Sequence, residues 1–291
     1  MKKLFNEKKS RKGLVLMGGG SRGLAHVGVL EVLERYNLKP DLVAGTSMGA
    51  IVGGFYACGV SPLEMRKMAH DPWLEEYFER PNIPFFARRA HNFFDYFMVE
   101  NYKTKLLNKI GFSQKDKIEE YLKNVVGEVC IENLPFPFAC NALDLISGQE
   151  IVFTQGKLYK ALRSSMSLPL VFEPIRADDM LLVDGGLVDN APVELARKMG
   201  ADLTLVVDIH RSFKKMEPEK IRNAFQLLQR TAEAILVKSN EERVKKADFV
   251  LRIDLETAIL DFSHPSEVIN QGKQKAQESL PQLKKFFSKH H

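Results

Sequence analysis

Long apolar runs are missing from this chain, and so are the cysteine patterns that staple small domains or hold metals. The apolar, glycine-rich stretch from Ala44 to Val60 is too short to span a bilayer comfortably and is interrupted by Ser47. Six basic residues before Gly13 imitate the start of a secretory signal. The apolar stretch that follows, Leu14 to Met17, is broken at once by glycine and forms no signal core. Cys58, Cys130 and Cys140 are odd in number and lack metal-ligand spacing, so they read as reduced thiols of a cytoplasmic protein. No His/Cys/Asp cluster marks a metal site, and no repeat or low-complexity tract is visible. The net charge of +5 and pI near 8.9 come without a stacking-plus-basic motif or recognition helix, so nucleic acid is not an expected partner. The same charge gives weak attraction to anionic lipid surfaces, and hence an expected peripheral contact with membranes.

What is present is ordinary globular usage: 291 residues, 45% hydrophobic and 27% charged, enough for one large core. Strand patterns run over Leu14 to Met17, Asp41 to Ala44, Phe136 to Asp144, Glu150 to Thr154, Phe172 to Arg176, Met180 to Val183 and Leu203 to Ile209. They alternate with helical stretches, which predicts a single α/β domain, three layers deep, with a largely parallel central sheet. A hairpin around Ser147-Gly148 makes that sheet mixed.

Ser47 stands in Gly45-Thr46-Ser47-Met48-Gly49, between a strand pattern and a helix-compatible run. This is the strand–turn–helix context of a G-x-S-x-G elbow, in which a serine hydroxyl is pushed out at a helix N-terminus. Upstream, Gly18-Gly19-Gly20-Ser21-Arg22-Gly23 follows the first strand and precedes a helix. Formally it is also a dinucleotide fingerprint, which would need an acid at the end of the second strand. That strand ends in Ala44, and Asp41 stands at its start, so no nucleotide cofactor is expected. Converging backbone N–H groups, an oxyanion hole, are the better use of this loop. A right-handed crossover makes the two strands parallel and adjacent, with both loops at one carboxyl edge. Far downstream, Met180 to Val183 ends in Asp184-Gly185-Gly186, either a plain turn or an acid delivered to the same cleft.

Together these segments resemble the patatin-like phospholipase family. Ala161, Ser165 and Pro169 match its A-x-x-x-S-x-x-x-P block, and Asn190 and Pro192 match the residues that trail its D-G-G. The resemblance runs from about Gly13 to Asp208. It implies a patatin-like fold and a serine lipid acyl hydrolase, with phospholipid or lysophospholipid esters as substrates. It makes Ser47 the nucleophile, Asp184 its sole partner, and Gly18 to Gly23, with the amide of Met48, the oxyanion donors. An acyltransferase or thioesterase with the same dyad, or an idle lipid-binding regulator, stays open.

The chemistry can be argued from the residues too. A serine needs a base during attack, and an aspartate of ordinary acidity is a weak one. Burial in an apolar cleft raises its basicity. The rival base is His210, after the strand from Leu203 to Ile209; His26 is read as structural, and Arg22 either holds the glycine loop or an anionic head group or faces solvent. Asn190 is read as a helix N-cap. Residues 72–112 are rich in aromatics and carry Arg88 and Arg89. They form either a cap over the cleft or a core-filling insertion within the single domain. The periodic run from Ile221 to Leu236 predicts a helix whose apolar face packs on the sheet. The basic tail from Lys284 to His291 is expected to fray.

Overall fold

The computed structural model describes residues 10–71, 115–169, 171–210, 213, 215–221 and 224–289. The aromatic-rich segment 72–112 lies outside them. The first strand, β1 (Lys12–Leu16), leads through a 3₁₀ turn, Gly20–Leu24, into α1 (Ala25–Arg35). Then come β2 (Leu42–Gly45), α2 (Met48–Cys58), α3 (Pro62–Met68) and α4 (Lys115–Val126). The centre of the chain supplies β3 (Phe138–Asp144), β4 (Glu150–Phe153), α5 (Leu158–Ser165), β5 (Ile175–Ala177) and β6 (Met180–Asp184). Last come α6 (Val193–Lys198), β7 (Leu203–Asp208), α7 (Ala224–Val244), β8 (Phe249–Arg252), α8 (Pro265–Glu278) and α9 (Leu280–Phe287).

The strands form one eight-stranded sheet in the order β5-β6-β3-β2-β1-β7-β8, with β4 paired to β3. From β3 through β8 the neighbours are parallel, whereas β4 and β6 run antiparallel to β3 and β5 antiparallel to β6. Strands β1 and β2 are buried along their whole length, which is why, after Lys12, they read as unbroken apolar runs rather than alternating ones. Helices cover both faces. Leu16 and Val43 point at Gly53 of α2, while Gly13, on the opposite pleat, faces Ala196 and Ala201 beside α6. This is the expected three-layer α/β/α arrangement.

Three expectations change, and two further elements had none. The strand expected over Phe172 to Arg176 shrinks to the short β5, because Phe172 sits in a turn and its amide bonds to the Leu168 carbonyl. Strand β8 and helix α8 lie beyond the region that sequence motifs covered. The run ending at Leu236 is helical, but it does not pack its apolar face on the sheet: Leu228 and Ile235 are exposed. The tail does not fray at Lys284, since α9 buries Leu283 and Phe286, the latter stacked on Phe249 of β8. Those two side chains, three apart, share one helix face and anchor it.

Candidate active site

The turn between β2 and α2 is built for close approach. A Cβ on Gly49 would stand 2.1 Å from the Leu16 carbonyl oxygen, and one on Gly45 would stand 2.5 Å from that of Gly49. Ser47 between them adopts φ 53°, ψ −123°, a left-handed backbone that non-glycine residues rarely take and that the surroundings must enforce. Its amide donates to the Ser165 hydroxyl at 2.9 Å, and its carbonyl accepts the Ile51 amide of α2 at 3.1 Å. Thr46 is buried, its hydroxyl 2.9 Å from Asn141 Oδ1 and 3.0 Å from the Asp189 carbonyl oxygen.

Asp184 reaches the serine by the antiparallel part of the sheet. Strand β3 continues past the carboxyl end of β2: Gly45 pairs with Cys140, so Ser47 comes level with Ala142. Strand β6 descends along that overhang and sets Asp184 opposite Ala142. The Ser47 hydroxyl donates to Asp184 Oδ2 at 2.6 Å, and Asp184 Oδ1 accepts the Gly186 amide at 2.7 Å. The Asp184 amide donates to the Ser167 carbonyl at 2.9 Å, which ties the strand end to the turn after α5. Burial pushes the Asp184 carboxyl up to about 6, against the opposing pull of its bonds to Ser47 and Gly186.

The glycine loop closes the other side. Gly18, Gly19 and Gly20 line the same cavity as Ser47 and Asp184. Gly20 has φ +58°, and a Cβ there would meet the Ile259 carbonyl oxygen at 1.9 Å. The loop is clamped from beyond β8. The Ser21 amide donates to the Ile259 carbonyl at 2.8 Å, the Ser21 hydroxyl to Ala258 at 2.7 Å, and Arg22 Nε to Thr257 at 2.7 Å. Ser21 and Arg22 therefore support the loop from outside the cavity, the Ser21 amide is already engaged, and Gly23 does not line the cavity either. Met48, the first residue of α2, lines the cavity; helix-starting amides have no partner within their own helix.

Two other residues move from their expected places. Asn190 is not an N-cap, because Pro192 occupies that position; its amide nitrogen donates to the Gly18 carbonyl at 3.2 Å, joining the glycine loop to the Asp184 loop. His210 does not line the cavity. Its Nδ1 is bonded to Asp208, whose other oxygen accepts Arg252 Nε at 2.7 Å. His26 is structural: its buried Nε2–H donates to the Met17 carbonyl at 2.8 Å, and burial lowers the ring to about 4, leaving it neutral at pH 7.

Sequence reasoning missed what holds these parts together. Asp189 is buried, its carbonyl accepts Asn141 Nδ2 at 2.9 Å, and its carboxylate lies 3.0 Å from Arg243 Nη1 of α7. Burial pushes the Asp189 carboxyl up to about 6, with Arg243 pulling the other way. No spacing links Asp189 to Arg243, so this pair had no sequence signal. Ser165 did have one, as the serine of the A-x-x-x-S-x-x-x-P block.

The cavity measures about 200 Å³. Apart from the dyad and the glycines its walls are mostly apolar, with Ile51, Met166, Phe172, Leu187 and Ile259 around the serine and Leu236 and Asn240 added by α7. A second recess of about 50 Å³, lined by Leu24, Phe55, Met65 and Met68 among others, shares Met48, Ile51 and Met166 with the first. Among the described residues no three His, Cys, Asp or Glu side chains stand together to hold a metal ion. The three cysteines are free, and no described helix is long and apolar enough to cross a membrane.

A family model of patatin-like phospholipases matches residues 14–197. The chain belongs to the patatin-like phospholipase family. An uncharacterized NTE family protein of Mycobacterium tuberculosis is 32% identical over 202 residues, 69% of this chain and 50% of the relative. A lysophospholipase of Meyerozyma guilliermondii is 31% identical over 68% of this chain, but only 12% of its own length is covered. The chain thus spans half the length of the mycobacterial relative and a small part of the fungal one. Among solved structures, VipD from Legionella pneumophila aligns over 94% of this chain and 67% of its own at 14% identity and TM-score 0.48. The type III effector ExoU aligns over 97% and 54% at 14% identity and TM-score 0.43. In this patatin-like chain the blocks that the sequence placed far apart, around residues 18, 47, 165 and 184, surround one cavity.

Proposed function

We propose that this patatin-like protein is a serine lipid acyl hydrolase that works through a Ser47–Asp184 dyad. The observation that carries the reading is the 2.6 Å hydrogen bond from the Ser47 hydroxyl to a buried carboxylate whose acidity is weakened to about 6. A carboxylate at that value is ionised at pH 7 and yet far more basic than a solvated one. Ser47 Oγ attacks the ester carbonyl carbon while its proton passes to Asp184 Oδ2. The negative charge on the former carbonyl oxygen is held by amides of the Gly18–Gly20 turn and of Met48. Collapse breaks the ester C–O bond, and the leaving alcohol takes the proton back from Asp184. Water then attacks the acyl-serine, again giving its proton to Asp184, and the fatty acid leaves with Ser47 restored.

The apolar cavity supports an acyl chain as the bound arm, and the recess behind Ile51 and Met166 extends it. Membership of the family, together with the lysophospholipase named among the relatives, supports a phospholipid or lysophospholipid as its source. The test uses a p-nitrophenyl acyl ester, a fluorophosphonate probe and a lipid panel read by mass spectrometry. Wild type is expected to release free fatty acid and to be labelled covalently; Ser47→Ala is expected to do neither while keeping its circular dichroism spectrum. A labelled Ser47→Ala protein, or a chain transferred to an alcohol in place of water, would overturn the assignment.

A further inference from the structure

The backbone ladder that delivers the dyad ends where the chemistry begins. Strand β2 pairs with β3 as far as Gly45 opposite Cys140, and β6 pairs with it as far as Asp184 opposite Ala142. Asn141 stands between those two partners on β3, on the opposite pleat from Ala142. Its side chain is fully buried and takes up both neighbouring strands beyond their last pairs. Thr46, the residue before Ser47, donates its hydroxyl to Asn141 Oδ1 at 2.9 Å. Gly185, the residue after Asp184, rests on the same atom: a Cβ there would stand 2.4 Å from Asn141 Oδ1 and 2.5 Å from the Asn141 carbonyl oxygen.

The surroundings fix which way the amide of Asn141 points. Its Nδ2 donates to Glu150 Oε1 at 2.8 Å and to the Asp189 carbonyl at 2.9 Å. A carbonyl can only accept, so Nδ2 faces Asp189 and Oδ1 turns to Thr46. With the Asp189 carbonyl already served, the single Thr46 proton goes to Oδ1 rather than to Asp189 at 3.0 Å. Both acceptors are themselves held. Glu150 pairs with Leu143 in the hairpin of β3 and β4. The Asp189 amide donates to the Gly185 carbonyl at 2.8 Å, and Arg243 lies 3.0 Å from the Asp189 carboxylate. One side chain thus fixes the residue before the serine and the residue after the acid.

We propose that Asn141 is a positioning residue for the dyad, gripping Thr46 and Gly185 with one amide so that the Ser47 hydroxyl stays within reach of Asp184. This rests on the lipid acyl hydrolase reading and adds to it the group that sets its geometry. Ser47 and Asp184 lie 137 positions apart, so no local turn holds them in register. A misplacement of about 1 Å in a reacting group can cost ~100-fold in rate.

The test compares Asn141→Ala, Thr46→Val and Thr46→Ser with wild type in hydrolysis of a soluble short-chain ester across pH, with crystal structures of the same proteins. Thr46→Val keeps the bulk, removes only the hydroxyl, and carries the test if Asn141→Ala fails to fold. Asn141→Ala is expected to lose roughly 100-fold in kcat and Thr46→Val roughly tenfold, with KM within about twofold, because neither residue lines the cavity. Thr46→Ser restores the donor and is expected within about threefold of wild type. The rising limb of the pH profile should move up from about 6 in the two weakened variants, since the Ser47 hydrogen bond that pulls the Asp184 carboxyl down is loosened in them. In the crystals the Ser47 Oγ to Asp184 Oδ2 separation, 2.6 Å in the wild type, should open by about 0.5 Å or more. A purely stabilising role would lower the melting temperature of these variants with kcat, limb and separation unchanged, and would overturn the proposal. A separation still near the wild-type value in Thr46→Val overturns it whether or not the ester is cleaved. Wild type that cleaves no ester would instead refute the hydrolase reading, and the crystal structures would still decide the role of Asn141.

Discussion

Replacing Asp184 by asparagine puts a neutral amide of nearly the same shape where a buried carboxylate now stands. The folded protein holds this group at about 6, against 3.8 for an ordinary aspartate. A raised carboxyl makes folding more favourable below the unfolded value and loses that advantage as pH climbs through the folded value. Above pH 7 the ionised form therefore costs the native state about 3 kcal/mol, at ~1.4 kcal/mol per tenfold change in acidity. The substituted amide carries no such cost. Its Oδ1 can keep the Gly186 amide and its Nδ2 can face the Ser47 hydroxyl. Asp184→Asn is accordingly expected to lose hydrolysis entirely and to unfold at a higher temperature than wild type at pH 8, by roughly 5–10 °C for a domain of this size. The gain should shrink through pH 6 and nearly vanish at pH 4, where wild-type Asp184 is itself neutral. Thermal melts at pH 4, 6 and 8, with esterase assays on the same samples, test this. A stability difference that is flat across that range, or an active Asp184→Asn protein, would refute the claim that a desolvated carboxylate is the base.

The same group sets the expected pH–rate profile. Hydrolysis of a soluble ester should rise through about pH 6 as Asp184 ionises and then level off, and His210→Ala should leave that limb in place; a limb that moves with His210 would contradict the dyad. Arg243→Ala removes the partner of buried Asp189 and is expected to destabilise by about 2 kcal/mol at pH 8, less below pH 6 where Asp189 takes a proton, as urea melts at the two pH values would show. Ile51→Phe fills the wall shared by the two cavities. It should cut hydrolysis of long acyl esters about tenfold or more relative to acetate, if the chain runs into the inner recess; an unchanged chain-length profile would place the acyl arm elsewhere.

Much of this architecture could be read before any coordinates. Glycines at 45 and 49 around a serine, after a buried strand, are legible because each answers a local demand: Gly49 rests against the Leu16 carbonyl, and Ser47 takes a backbone that only such a turn enforces. The parallel pairing of β1 with β2 followed from a single crossover helix, since the connection has one favoured hand. Helix α7 misled for the opposite reason. Its apolar spacing was right, but periodicity states only that a helix has an apolar face, and here Leu228 and Ile235 of that face are exposed. The tail misled through its lysines, which reach solvent while Leu283 and Phe286 hold the helix down.

Local chemistry in the sequence determined the elbow, the glycine turn and the acid after a buried strand, because turn geometry and strand burial are set by neighbours in the chain. Only the tertiary structure decided how the acid meets the serine. Asp184 arrives on an antiparallel strand, descending along the part of β3 that extends beyond β2, and pairing register brings it level with Ser47. Register between strands as far apart in the chain as Gly45 and Cys140 is fixed by the packing of the whole sheet. So is the tether from Arg243 to Asp189, for it depends on where a helix lands after β7 and not on any residue near either partner.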